Sequence, residues 1–169
     1  MSLLVDLVKH YESLHDGDMK TIGLQPKMCP AGLWTEGYGR LVLDDKGNRL
    51  KGIENKALAY KFSKIKTEEQ AITALNEDLA DYTNRVKSLK LSISETKQNA
   101  LVSFAYNVGF ENLKASTLLK KIKANASDSE VTAQFMRWKY ADKKELSGLV
   151  ARRKSEALFF TTGELKFFN

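Results

Sequence analysis

Seven of the ten glycines and both prolines fall between residues 16 and 52. Glycine costs a helix interior about 1 kcal/mol and proline about 3, so this stretch cannot continue a helical pattern. Short apolar pieces, Leu33-Trp34-Thr35 and Arg40-Leu41-Val42-Leu43, sit there between turn signals. Asp44-Asp45-Lys46-Gly47-Asn48 reads as a turn, followed by Arg49-Leu50-Lys51. The pattern predicts a small antiparallel sheet of two or three strands over about 16–52.

The flanks read differently. Leu4, Leu7, Val8, Tyr11 and Leu14 lie at helical spacing and predict an amphipathic helix over 3–14, with Glu12 near its C-terminal end. From Glu54 the glycines thin out. Thr67 with Gln70 fits a capping box ahead of Leu75, Leu79, Tyr82 and Val86. Ser94 caps a stripe of Leu101, Phe104, Ala105 and Val108 that Gly109 ends. Ser116 caps Leu118–Ile122, Ser127 with Glu130 opens the helix of Val131 and Phe135, and Ser147 or Gly148 opens the last helix. The expected fold is α+β, one domain over 1–169. A small sheet lobe (about 16–52) and a helical lobe (about 54–169) are joined by the first helix, with a cleft between them for substrate.

Bulk properties narrow the function. A chain of 169 residues that is 43% hydrophobic builds a core without staples, and one cysteine cannot form an internal disulfide. A formal charge of +6 favours an anionic partner, either nucleic acid, a membrane surface or an acidic wall polymer. Aspartates and glutamates interrupt the lysines, as in residues 61–69, which fits a solvated surface better than a nucleic-acid face. No secretory leader is apparent, and no apolar run approaches the ~20 residues of a membrane span.

Common sites are excluded by spacing. His10 and His15 have no Cys/His companions for zinc, so no metal is expected. Residues 44–48 lack the carboxylate pattern of a calcium loop. Gly37-Tyr38-Gly39 is too short for a dinucleotide fingerprint, and no nucleophile-elbow serine occurs. Cys29 with His10 or His15 makes a thiol-protease pair that nothing else supports. Glu12 and residues 29–35 remain. Glu12 is either a surface carboxylate at a helix end or a desolvated general acid. Thr35 reads as a strand residue. Cys29 is a small packed hydrophobe or, held extended by Pro30, an accessible thiol.

The order Glu12, then Cys29-Pro30-Ala31-Gly32-Leu33-Trp34-Thr35-Glu36-Gly37-Tyr38-Gly39, resembles the phage-type lysozymes, the endolysin muramidases of glycoside hydrolase family 24. Lys9–Leu14 is similar to the family's segment around its catalytic glutamate, and Cys29 and Thr35 keep the family's five-residue spacing. Ala100–Gly109, Ser116–Leu119, Phe135–Trp138 and Gly148–Glu156 match in type and order, so the resemblance covers nearly the whole chain. Two departures stand out. Sixteen residues separate Glu12 from Cys29 where the family usually has eight, which implies a lengthened loop over 15–28, and cysteine replaces the commoner aspartate.

The resemblance implies hydrolysis of the β-1,4 link between N-acetylmuramic acid and N-acetylglucosamine in peptidoglycan, without a cofactor. Glu12 would be the acid, with Cys29 and Thr35 across the scissile bond. Either they orient a water, with Cys29 as a base, or the Cys29 thiolate attacks carbon directly. A free thiol with pKa ~8.5 is only slightly ionised at neutral pH, a fraction that neighbouring cations would raise, and the retained family hydroxyl of Thr35 favours the water version. Arg152 or Arg153 would hold Glu12, or both pair with Glu156 instead. Asn107, Trp34 and Tyr38 are expected to contact the sugar. The expected partner is the bacterial wall polymer, met by a monomer made in a host cytoplasm and released through a separate pore. Nucleic-acid binding and stable membrane insertion are not expected. The rival readings are a lytic transglycosylase, which needs the glutamate and no base, and a wall-binding module without catalysis.

Overall fold

The computed structural model describes residues 2–141 and 143–169. The chain forms two compact units. The larger comprises Met1–Tyr11 and Leu79–Asn169, and the smaller Glu12–Asp78. The division falls inside two helices, α1 (Leu3–Glu12) and α3 (Glu68–Ser88).

The smaller unit is built on a three-stranded antiparallel sheet of β1 (Lys27–Met28), β2 (Trp34–Glu36) and β3 (Arg40–Leu41), with β2 in the middle. The turn between β1 and β2 is encoded by Cys29-Pro30-Ala31-Gly32. Gly32 donates its N–H to the Cys29 carbonyl at 2.8 Å and takes φ +77°, while Cys29 N–H bonds to the Leu33 carbonyl at 2.8 Å. Proline presets the first turn residue and glycine supplies the left-handed one, as a three-residue hairpin loop requires. The expected turn at 44–48 forms, with Asp44 accepting from the backbone N–H groups of Lys46 and Asn48 at 2.9 and 2.7 Å. Residues 49–51 contribute only isolated bridges, Leu43 with Arg49 and Leu33 with Lys51, rather than a strand. Trp34, Val42, Leu50 and Ala59 form the unit's core, flanked by Tyr60 and Phe62.

The smaller unit runs well past residue 52. It takes in α2 (Lys56–Phe62) and the first half of α3 because two β-sheet side chains bind that region. Buried Glu36 accepts at one oxygen from Ser63 Oγ (2.9 Å), Lys64 N–H (2.8 Å) and Ile65 N–H (3.0 Å). Arg40 donates to the Ala74 carbonyl and forms an ion pair with Asp78 at 2.8 Å. Three donors on one carboxylate oxygen satisfy a group that burial would otherwise make costly.

The larger unit is helical. Residues 100–105 of α4 (Glu95–Val108) are all buried, as expected of a helix enclosed on several sides. It packs along α8 (Ser147–Thr162), which also carries α7 (Asp128–Phe135). Short helices α5 (Phe110–Ala115) and α6 (Thr117–Lys123) link α4 to α7. Phe104 meets Phe135 and Trp138 edge-on, each at 5.4 Å. Caps form at Ser94, Ser116 and Ser127, the last a full capping box with Glu130. A small hairpin of β4 (Tyr140–Ala141) and β5 (Lys144–Glu145) precedes α8. The residues after α8 fold back onto α1. Phe168 N–H donates to Tyr11 Oη at 3.1 Å, Ser155 Oγ lies 2.6 Å from the same oxygen, and His10 stacks on Phe167 at 4.1 Å.

Candidate active site

The hairpin explains the spacing of Cys29 and Thr35. Lys27 pairs with Thr35 and Met28 with Trp34, and the turn then sets Cys29 opposite Leu33. Side chains alternate along a strand, so Lys27, Cys29, Leu33 and Thr35 share one face. Cys29 and Thr35 are diagonal neighbours on it. The free thiol of Cys29 is half-buried. Thr35 is buried, and its hydroxyl bonds to the Lys27 carbonyl at 3.0 Å.

Glu12 joins them through the chain reversal after α1. The helix ends at Glu12 because Ser13 adopts φ +59°, two residues short of the expected end at residue 14. His15 then bridges Gly37, donating its N–H to the Gly37 carbonyl at 2.8 Å. The carboxylate of Glu12 sits over Gly39, where a Cβ would fall 3.2 Å from Glu12 Oε2. Gly39 also has φ +95°, a region costly for any residue with a Cβ. Gly39→Ala is therefore expected to displace the Glu12 carboxylate. Backbone strain of about 1–3 kcal/mol should appear as a modest fall in Tm, read by calorimetry.

One member of the cluster is a residue the sequence set aside. His15 Nδ1 lies 2.8 Å from Thr35 Oγ1. Burial, the largest cause, holds the imidazole pKa below its ordinary 6.5. Lys27 acts in the same sense, and the Glu12 carboxylate and carbonyl oppose it. Burial thus favours the neutral ring over the imidazolium.

The other expected residues are placed as follows. Trp34 is buried and donates Nε1–H to the Gly52 carbonyl at 2.8 Å. Tyr38 is buried and its hydroxyl donates to Glu68 at 3.0 Å. In the larger unit Arg152 and Arg153 are buried, and both pair with Glu156, at 3.0 and 3.1 Å. Glu156 also accepts from Ser103 Oγ at 2.7 Å. Asn107 is exposed and its Oδ1 accepts from Arg153, which leaves its amide N–H groups as outward donors. Among the described residues no three His, Cys, Asp or Glu side chains gather as metal ligands, and no helix is long and apolar enough to cross a membrane.

The family described as phage lysozyme matches residues 18–156. The chain belongs to the phage lysozyme family. The matched stretch takes in Cys29 and Thr35 and begins after Glu12. An endolysin of Acyrthosiphon pisum secondary endosymbiont phage 1 is 31% identical over 160 residues, 91% of this chain and 92% of that protein. An endolysin of Bacillus phage B103 is 41% identical over 102 residues, but the chain spans only 38% of its length. Among solved structures, an endolysin from Escherichia coli O157:H7 phage FAHEc1 shares the fold with a TM-score of 0.71. The match covers 98% of this phage-lysozyme chain and 95% of that one at 24% identity.

Proposed function

We propose that the chain is a muramidase, a phage-type endolysin that hydrolyses the β-1,4 bond between N-acetylmuramic acid and N-acetylglucosamine in bacterial peptidoglycan. The observation that carries this reading is the gathering of Glu12, Thr35 and the Cys29 hairpin face in one unit of a family member. Glu12 donates a proton to the leaving oxygen. Water held by Thr35, with Cys29 beside it, attacks the anomeric carbon from the opposite face.

Asn107 fits a contact to a sugar acetamido oxygen, since its outward groups are donors. Trp34 and Tyr38, both buried and hydrogen-bonded, serve the site by fixing the central strand. The muramidase acts as a monomer and reaches the wall through a separate pore.

Product analysis on purified peptidoglycan tests the chemistry. Attack by water is expected to give the inverted α-anomer at the new reducing end, read by NMR in the first minutes. A retained β-anomer assigns direct attack by the Cys29 thiolate. A product lighter by one water, read by mass spectrometry, assigns the transglycosylase. No cleavage alongside tight wall retention assigns the binding module.

A further inference from the structure

The contact between His15 and Thr35 fixes what the Thr35 hydroxyl offers to a substrate. A hydroxyl has one proton and two acceptor lone pairs. Oγ1 of Thr35 lies 2.8 Å from His15 Nδ1 and 3.0 Å from the Lys27 carbonyl. If the imidazole carries its proton on Nδ1, it donates to Thr35, and Thr35 donates to Lys27. If Nδ1 is bare, Thr35 donates to the ring. In both arrangements the hydroxyl proton points inward and only lone pairs remain outward. A water bound there must donate a proton to Oγ1, which leaves its own lone pairs for an electrophilic carbon. Thr35 is 5% exposed, so bulk water does not compete for this position.

The hydrolysis also needs somewhere for the water's proton to go. An aspartate would take it, but this chain has Cys29 at that place, whose sulfur is only a weak hydrogen-bond acceptor. The groups facing the His15 ring are Glu12 from the end of α1, Lys27 from β1 and Thr35 from β2. Asp16, adjacent in sequence, turns Oδ1 to the N–H groups of Asp18 and Gln25. A neutral imidazole in this setting is the one nitrogen base in hydrogen-bond reach of Thr35 among the described residues.

We propose that His15 is a positioning residue acting through Thr35, orienting its hydroxyl and receiving the proton released by the attacking water. The proposal rests on the muramidase reading. In the step, the water oxygen bonds to the anomeric carbon as the glycosidic C–O bond breaks, its electron pair passing to the leaving oxygen. Glu12 protonates that oxygen. In the tautomer with bare Nδ1, the one that can take a proton there, the water's proton moves to Thr35 Oγ1 while the Thr35 proton moves to His15 Nδ1. The step ends with a Glu12 carboxylate and a His15 imidazolium, and return of one proton from His15 to Glu12 resets the site.

The test is the pH dependence of kcat and KM on soluble peptidoglycan fragments for the wild type and His15→Asn. Asparagine keeps a hydrogen-bonding group near the position of Nδ1 but takes up no proton in this range. Wild-type kcat is expected to fall on an acid limb displaced below the ordinary imidazole range, where the ring protonates. His15→Asn is expected to lose kcat by about 10²-fold or more, with KM little changed and the acid limb gone. Wild-type kcat with the acid limb retained in His15→Asn overturns the proposal and makes the contact structural. If His15→Asn does not fold, Thr35→Val decides, since it cuts the link while the ring stays. Loss of the acid limb supports the relay, and its persistence overturns it. Failure of the underlying reading looks different, because Glu12→Gln would then remain active or the wild type would cleave nothing.

Discussion

Glu12→Gln is expected to lower peptidoglycan hydrolysis by about 10²–10⁴-fold, the usual contribution of a general acid. The substitution keeps side-chain volume and hydrogen-bonding capacity, so the variant still fits over Gly39, where the Glu12 carboxylate now sits. In the proposed mechanism it removes the group that would donate the proton. A sugar alkoxide is a poor leaving group, and the bond cannot break at neutral pH without that proton. A turbidity assay on purified walls reads the rate, and circular dichroism confirms that the variant is folded. A folded variant that clears walls at the wild-type rate would remove Glu12 from the mechanism.

The second large effect is on stability. Glu156 stands between two buried arginines, and one of its oxygens also takes the Ser103 hydroxyl. Glu156→Leu leaves two buried guanidinium groups without this counter-charge and strands the Ser103 proton. Breaking a buried ion pair from one side costs about 3–5 kcal/mol. For a chain of this size that corresponds to a fall in Tm of roughly 6–20 °C, measurable by calorimetry. Replacing all three charges by apolar residues is expected to recover part of the loss, because the desolvation of the arginines disappears with them. A Tm within about 2 °C of wild type, under 1 kcal/mol at this size, would show that the arginines are held by other groups.

Local signals were legible in the sequence and distant ones were not. The capping pairs Thr67 with Gln70 and Ser127 with Glu130 act over three residues, and both form. The Asp44–Asn48 turn is equally local. Strand β1 has two residues, both exposed, so no alternation marks it. Its existence follows from the turn at Pro30 and Gly32. Helix α5 and the hairpin at 140–145 are too short to carry a period. Buried Glu36 has its partners 27 to 29 positions downstream, beyond the reach of any local pattern. Of the candidate site, Glu12, Cys29 and Thr35 were visible through family spacing. His15 was discarded because it lacked zinc-ligand companions. Its partner is a threonine twenty residues away, and no spacing rule for metals or thiols would find that pair.

The contact between Tyr11 and Phe168 bears on the order of assembly. Tyr11 precedes the candidate acid directly, and its hydroxyl is bound by a residue 157 positions later. Helix α1 is made before Phe168 and gains this contact only once Phe168 has followed it. A nascent chain that stops before Phe168 carries every residue of the cluster around Thr35 and the Tyr11 contacts to Ala151 and Ser155, but lacks this last tie on the segment leading into Glu12. Packing of the segment that precedes the candidate acid is therefore completed last, by the residues after α8.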